Sequence, residues 1–237
     1  MIKKILIDQK ENVYYWSSGD LHTSLGKIKE SDILQGGKIK SHLNKEFIIF
    51  DAAFSDQIEK SERGPAVILK KDIGNIVATT GISKDSRIVD VGTGGGMLAL
   101  HLANISPHVT SYEKSEEFCR IAVKNAEKVN AKIIIKNKDA MEGIEEKNLD
   151  LVTIDLKEPW MLLKEMYNVL KSGGFCVAYL PHTQQVQRFC SEARENKFYV
   201  QKVSETMERE WIFEEQKSRP KNIGILHTGF LVFLRKY

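Results

Sequence analysis

The stretch that decides the fold is Ile88–Met97, IVDVGTGGGM, in which four glycines follow a short apolar run. Ile88–Gly92 predicts a short buried strand, and the following residues predict a helix from about Met97 to Ala103. Glycines at such a turn let the backbone bend sharply and come close to a ligand. The stretch therefore predicts a ligand-binding loop between a strand and a helix.

The spacing within this loop distinguishes two classes of ligand. A dinucleotide site has the pattern G-x-G-x-x-G, and Met97 stands where its third glycine would be. Asp90 lies two residues before Gly92. A carboxylate there can meet an amino acid's ammonium group, directly or through water, but it would repel a pyrophosphate. Both observations point to S-adenosylmethionine as the ligand.

Strands and helices alternate after the loop. Strands are predicted at His108–Glu113, Lys132–Asp139, Leu149–Asp155 and Phe175–Pro181, and helices at Ser115–Val129, Trp160–Leu170 and Gln184–Asn196. The glycines at 173–174 predict a C-cap for the second of these helices. The late runs 199–213 and 225–235 predict an antiparallel pair at the sheet's edge. Together these patterns predict a Rossmann-like α/β fold with a mostly parallel sheet, which binds ligands at the carboxyl ends of its strands.

Residues 1–60 follow a different pattern. Short apolar runs there are separated by turn residues, among them Ser17–Asp20 and Gly36–Gly37. This is typical of a small antiparallel β unit with little helix. We therefore predict two domains, a small N-terminal β domain at 1–60 and a domain at 61–237 that contains the glycine loop.

Acidic residues recur at the ends of the predicted strands. Glu113 can accept hydrogen bonds from ribose hydroxyls, a feature that NAD sites share. Asp139 can meet the adenine amino group. Either acid alone could be an ordinary solvated residue, but their recurrence favours one common site. The expected cofactor-binding residues are Asp90, Gly92, Thr93, Gly94, Gly95, Gly96, Met97, Glu113, Phe118, Asp139, Ala140 and Asp155.

The segment Asp155–Trp160, DLKEPW, indicates the chemistry. Methylation of adenine at N1 needs no prior proton removal, and it leaves a cationic ring. A carboxylate that accepts a hydrogen bond from the exocyclic amino group stabilises that charge and fixes which nitrogen faces the methyl group. Asp155 is placed for this role, the alternative being that it caps the next helix. Trp160 either stacks on a base or packs the loop.

A second catalytic candidate is Tyr179, in the segment Ala178–Pro181, AYLP. A base within folded RNA reaches such a pocket only when it is flipped out and held by stacking. Tyr179 at the end of a predicted strand can supply that stacking. The alternative is an ordinary half-buried strand tyrosine.

Composition adds little about the substrate. The formal net charge is only +3. Lysines nevertheless cluster at 27–45 and basic residues at 217–221. Each cluster either contacts RNA or is an ordinary solvated face. No apolar run reaches about 18 residues and no signal peptide is recognisable, so we expect a cytoplasmic protein without membrane contact. The three cysteines lack metal-type spacing and are expected to be buried, with no metal bound.

Along nearly its whole length the chain resembles the tRNA (adenine-58-N1)-methyltransferases, particularly their archaeal form. The shared segments are DLHT at 20–23, LG at 25–26, RGP at 63–65, KDIG at 71–74, GTG at 92–94, YE at 112–113, D-x-x-EPW at 155–160, GG at 173–174, AYLP at 178–181, QV at 185–186, EREW at 208–211, RP at 219–220 and HTG at 227–229. The resemblance implies a homotetramer that methylates an adenine in the T-loop of tRNA. The family usually has proline at positions 70 and 157, which are lysines here, and glycine at position 226, which is leucine here.

Three other functions remain as alternatives. A methyltransferase acting on a small molecule or protein would keep the same cofactor site, although the N-terminal β domain argues against it. A catalytically silent RNA-binding subunit is disfavoured by Asp90, Glu113 and Asp155. A nicotinamide-dependent oxidoreductase is disfavoured by Asp90 and Met97.

Overall fold

The computed structural model describes residues 1–62, 64, 67–214, 217–221 and 227–237. The predicted strand residues 225 and 226 and two positions of the RGP segment, 63 and 65, lie outside the described residues.

The strands are β1 (Lys4–Asp8), β2 (Val13–Trp16), β3 (Leu21–Thr23), β4 (Gly26–Ile28), β5 (Gly37–Lys40), β6 (Glu46–Asp51), β7 (Ile88–Val91), β8 (Val109–Tyr112), β9 (Ile134–Lys136), β10 (Leu149–Ile154), β11 (Leu170–Leu180), β12 (Phe198–Ser204), β13 (Trp211–Glu214), β14 (Lys217–Pro220) and β15 (Phe230–Lys236). The helices are α1 (Glu30–Gln35), α2 (Phe54–Glu59), α3 (Lys70–Thr80), α4 (Met97–Ala103), α5 (Glu116–Val129), α6 (Leu163–Val169) and α7 (Thr183–Glu195), with short 3-10 turns at Ala140–Glu142 and Pro159–Leu162.

The chain divides into two compact units. One comprises residues 1–62 together with 124–131, and the other comprises 63–123 together with 132–237. The predicted domain boundary at residue 60 stays a prediction.

The first unit contains an antiparallel sheet with the strand order β2-β1-β6-β5 and a separate hairpin, β3-β4. Along β6, Phe47 and Ile49 are buried whereas Ile48 and Phe50 are exposed. This period of two is the pattern of a strand with one face on a core. The predicted small antiparallel β unit is confirmed, although the short helix α1 was not predicted.

The second unit is built on a seven-stranded sheet with the order β12-β15-β11-β10-β7-β8-β9. Neighbours from β11 to β9 are parallel, and β15 is antiparallel to both β11 and β12. All four residues of β7 are buried, as expected for a parallel strand covered on both faces. The mostly parallel Rossmann-like sheet and its antiparallel edge pair are confirmed.

Two predicted strands differ from the structure. The strand predicted at 132–139 is shorter, at Ile134–Lys136, and the late run 199–213 ends as a sheet strand at Ser204. Trp211–Glu214 instead pairs with Lys217–Pro220 in a separate hairpin.

The glycines at 173–174 do not cap a helix. The helix before them ends at Val169, and β11 begins at the next residue. Gly173 has φ +73°, and the register of β10 with β11 shifts between Leu149 and Leu151. The glycines therefore allow an irregularity inside a strand, where a Cβ on Gly174 would lie 2.8 Å from the Leu149 carbonyl oxygen.

The three cysteines, Cys119, Cys176 and Cys190, are buried, as the sequence predicted, and none of them forms a disulfide. In the part of the chain that the structure describes, no helix is both long enough and apolar enough to cross a membrane.

Candidate active site

A cleft of about 230 Å³ lies in the second unit, where β7, β8 and β10 end. Its lining residues are Ile68, Asp90, Val91, Gly92, Thr93, Gly94, Met97, Leu98, Tyr112, Glu113, Lys114, Phe118, Lys138, Asp139, Ala140, Asp155 and Leu156. Every predicted cofactor-binding residue except Gly95 and Gly96 is in this set. Tyr179, the second predicted catalytic residue, is not.

Gly92 brings two strand ends together. Its φ is +86°, a left-handed conformation that side chains rarely adopt. A Cβ at this position would also collide with the carbonyl oxygen of Asp155. Only glycine therefore lets the end of β7 lie this close to the end of β10.

Gly96 and Gly64 have packing roles at the back of the loop. Gly96 precedes α4 with φ +85°, and a Cβ on it would lie 3.3 Å from the Cβ of Ala122 on α5. A Cβ on Gly64 would lie 2.6 Å from the backbone nitrogen of Gly95. Gly96 and Gly64 therefore allow neighbouring segments of protein to approach each other. The predicted approach of Gly95 and Gly96 to the cofactor stays a prediction.

Asp90 is buried, and hydroxyl groups satisfy its carboxylate. Thr153 Oγ1 donates to Asp90 Oδ1 at 2.6 Å, and Ser111 Oγ donates to Asp90 Oδ2 at 2.7 Å. Burial raises the pKa of Asp90, the two hydroxyl bonds lower it, and the charge of Glu113 raises it, with a net increase. Sequence reasoning missed Ser111 and Thr153. Both are the register partners of Asp90 on the adjacent strands, so a predicted strand register would have identified them.

Glu113 holds the glycine loop in place. The backbone nitrogens of Gly94 and Ser115 each donate to its carboxylate at 2.8 Å, one to each oxygen. Asp139 lies three residues beyond β9 and accepts a hydrogen bond from the backbone nitrogen of Met141 at 3.0 Å, as the cap of a 3-10 turn. Both carboxylates face the cleft while they order its rim.

Asp155 stands at the end of β10, beside Gly92. Burial, followed by the charges of Asp90 and Glu113, raises the pKa of Asp155 to about 6. The 3-10 turn that follows starts after Glu158, so Asp155 is not its capping residue. The cleft thus carries negative charge that its own residues do not fully balance.

Replacing Asp155 by Asn is expected to stabilise the protein at pH 8. Each pKa unit corresponds to about 1.4 kcal/mol, and the rise from 3.8 to about 6 then predicts a gain of roughly 2–3 kcal/mol. Because the folded-state pKa is raised, the carboxylate destabilises the fold fully above about pH 6. The gain should shrink as pH falls and vanish below about pH 4. Urea denaturation at several pH values measures it.

Asp150→Asn is the matched control on the same strand. Burial raises the pKa of Asp150, but hydrogen bonds from Lys171 and from the Arg87 backbone nitrogen outweigh this and lower it. This variant should therefore lose stability at pH 8. A loss of stability in both variants would contradict the account of Asp155.

Trp160 packs the loop rather than standing open to a base. It is 8 % exposed and belongs to the main core of the second unit, with the Arg188 guanidinium 4.1 Å from its ring centroid. Gln185 Nε2 donates to the carbonyl oxygen of Lys157 at 2.9 Å. The loop after Asp155 is thus held to α7 on both sides of Glu158.

Tyr179 is half-buried near the end of β11, where its ring lies against Gly229. Its role toward a substrate stays a prediction. Among the residues that the structure describes, no group of three or more His, Cys, Asp or Glu side chains could hold a metal ion.

Comparison with known proteins identifies relatives over nearly the full length. The tRNA (adenine(57)-N(1)/adenine(58)-N(1))-methyltransferase TrmI of Methanocaldococcus jannaschii is 29% identical, over 98% of this chain and 94% of that protein. The tRNA (adenine(58)-N(1))-methyltransferase TrmI of Thermus thermophilus is 28% identical, over 98% of this chain and 96% of that protein.

Two solved structures share the fold. The tRNA (m1A58) methyltransferase TrmI of Aquifex aeolicus has a TM-score of 0.81 and 25% identity, covering 99% of this chain and 96% of that one. A SAM-dependent O-methyltransferase of Thermotoga maritima has a TM-score of 0.85 and 27% identity, covering 99% and 92%. The model of the family described as tRNA methyltransferase complex GCD14 subunit matches residues 61–228, most of the chain. The chain therefore belongs to this family.

Proposed function

We propose that the protein transfers a methyl group from S-adenosylmethionine to N1 of an adenine in the T-loop of tRNA. The observation that carries the proposal is the acidic cleft at the strand ends. Four of its side chains are carboxylates, Asp90, Glu113, Asp139 and Asp155, against the two lysines Lys114 and Lys138. The family, and relatives named for this reaction on tRNA, agree with it.

The residues present fit S-adenosylmethionine. It carries a sulfonium and an ammonium group, and the excess of carboxylates in the cleft favours a cation. The close approach at Gly92 leaves the loop backbone facing the cleft without a side chain. We assign the ammonium end to Asp90 and the glycine loop, the ribose to Glu113 and the adenine to Asp139. When bound, this cofactor supplies an electrophilic methyl group.

Asp155 is the catalytic carboxylate in this proposal. As a carboxylate it accepts a hydrogen bond from the exocyclic amino group of the target adenine, and it offsets the positive charge that develops on the ring. It also selects N1 as the nitrogen that faces the methyl group. A pKa of about 6 leaves most of the group ionised at neutral pH.

The target base has to leave its stack before it can reach the cleft. We assign Tyr179 to hold the flipped base, since its ring is only half-buried at the end of a strand next to β10. We further propose that residues 1–60 form a small N-terminal domain and that the protein is a cytoplasmic homotetramer that binds tRNA. The resemblance in sequence to the tRNA (adenine-58-N1)-methyltransferases supports these points.

The test is methyl transfer from labelled S-adenosylmethionine to an unmodified tRNA transcript. The matched control carries guanine at positions 57 and 58, the adenines named for the Methanocaldococcus jannaschii relative. Guanine has a hydrogen on N1 and offers no lone pair there. We expect label on the adenine transcript and none on the control. Equal labelling of both would refute the proposed target. If the protein binds the cofactor but labels no tRNA, its substrate belongs to another class. One such class is a molecule methylated on oxygen, as the name of the Thermotoga maritima structure, an O-methyltransferase, indicates for that protein.

A further inference from the structure

A buried ion pair and a threonine hydroxyl form a cluster behind Tyr179. Lys71 Nζ donates to the two carboxylate oxygens of Asp72 at 3.0 and 2.9 Å and to Thr228 Oγ1 at 2.6 Å. Thr228 Oγ1 in turn donates to Asp72 Oδ2 at 3.0 Å. The side chains of Lys71 and Asp72 are 5% and 0% exposed. We call these three residues the Lys71–Asp72–Thr228 cluster.

The cluster joins two distant parts of the second unit. Lys71 and Asp72 lie in the first turn of α3, whereas Thr228 lies just before β15. A buried ion pair is costly to desolvate, and packed apolar residues could hold the same two segments together equally well. The ion pair adds directionality, because one donor, Lys71, and one acceptor, Asp72, fix the position of the Thr228 hydroxyl group.

The fixed segment lies directly against Tyr179. A Cβ on Gly229 would lie 2.5 Å from Cζ of the Tyr179 ring and 2.8 Å from its hydroxyl oxygen. The backbone of Gly229 therefore packs against the phenol end of the Tyr179 ring. Burial raises the pKa of Tyr179, while a hydrogen bond with Thr228 lowers it.

We propose that Thr228 is a positioning residue for Tyr179. Through the Lys71–Asp72–Thr228 cluster it fixes the backbone at Gly229. The contact of this backbone with Tyr179 then sets the position at which the ring meets the target base. The inference rests on the proposed function, because it assigns Tyr179 to that base. It adds a residue that touches neither the base nor the cofactor.

Thr228→Val is the variant that tests it, because it keeps the side-chain shape and removes only the hydroxyl. Thr228→Ser restores the hydroxyl and should restore function. Gly229→Ala changes the same contact directly, because it places a methyl group against the Tyr179 ring. Gly229 does not have a left-handed backbone, so the ring is the main obstacle to its Cβ. Thr80→Val is the control, because its hydroxyl donates to the Ile76 carbonyl oxygen within α3.

Two measurements are needed. The first is the NMR signal of Tyr179 in protein with ¹³Cζ-labelled tyrosine, assigned by its loss in Tyr179→Phe. The second is single-turnover methylation of tRNA, with the Kd for S-adenosylmethionine measured separately. We expect Thr228→Val and Gly229→Ala to move the Tyr179 signal and to lower the rate at saturating tRNA about tenfold, because a misplacement of about 1 Å can cost about 10²-fold and the shift expected here is smaller. The Kd should not change, and Thr228→Ser and Thr80→Val should match the wild type.

The outcomes separate the two proposals. If Thr228→Val is folded and leaves both the Tyr179 signal and the rate unchanged, the inference is wrong. The inference is also wrong if Thr228→Val lowers the rate and the cofactor affinity together while the Tyr179 signal stays in place. That result would mean that the cluster stabilises the fold and does not position Tyr179. If the wild type does not methylate tRNA, the proposed function fails. The Tyr179 signal then shows on its own whether Thr228 positions this ring.

Discussion

Asp155→Asn is expected to lower the rate of methyl transfer to tRNA by about 10²–10³-fold, the loss typical of removing one electrostatic contact to developing charge. The Kd for S-adenosylmethionine should change far less. The amide keeps the shape of the side chain and can still accept a hydrogen bond, but it brings no negative charge to the cationic ring of the product. Single-turnover kinetics and calorimetry measure the two quantities separately.

Asp150→Asn again serves as the control, since it lies on the same strand and outside the residues that line the cleft. It should retain the wild-type rate at a temperature where it is folded. Equal losses of rate and cofactor affinity in Asp155→Asn would mean that Asp155 acts in cofactor binding, and its catalytic role would then be abandoned.

Gly92→Ala is expected to abolish measurable cofactor binding, with a loss in affinity of more than about 10²-fold. The added methyl group collides with the Asp155 carbonyl oxygen, and a φ of +86° strains any residue other than glycine. The ends of β7 and β10 must therefore separate, which moves Asp155 as well. Calorimetric titration with S-adenosylmethionine measures the effect.

Gly74→Ala is the matched control for this substitution. Gly74 lies within α3, is exposed, and would place its Cβ in open space. Alanine there should raise stability by up to about 1 kcal/mol because of its higher helix propensity, with no change in cofactor affinity. Wild-type affinity in Gly92→Ala would show that the loop does not form the cofactor site.

The elements that could be predicted are those whose own residues specify their secondary structure. Strand β7, the glycine turn and helix α4 follow each other directly in the chain. The residues of each element are sufficient to indicate its type. Gly173 and Gly174 show the limit of this reasoning. The same pair of letters indicates a helix cap or a strand irregularity, and only the pairing of β11 with β10 decides between them.

The site was predictable to the extent that it lies at strand ends. Asp90, Glu113, Asp139 and Asp155 meet in one cleft because parallel strands present their carboxyl ends at one edge. The hydroxyl partners of Asp90 could not be found this way, since they depend on register between strands. The cluster of Lys71, Asp72 and Thr228 could not be found either, since Thr228 lies 156 residues from Asp72 in the chain and meets it only through the tertiary fold.

Mass spectrometry of the nucleosides from tRNA incubated with the protein and S-adenosylmethionine tests directly whether the protein methylates N1 of adenine in tRNA. Unmodified tRNA is treated in parallel with the wild type and with Asp155→Asn, then digested completely. We predict N1-methyladenosine with the wild type and almost none with the variant. Methylation of another nucleoside, or equal amounts of N1-methyladenosine from both proteins, would contradict it.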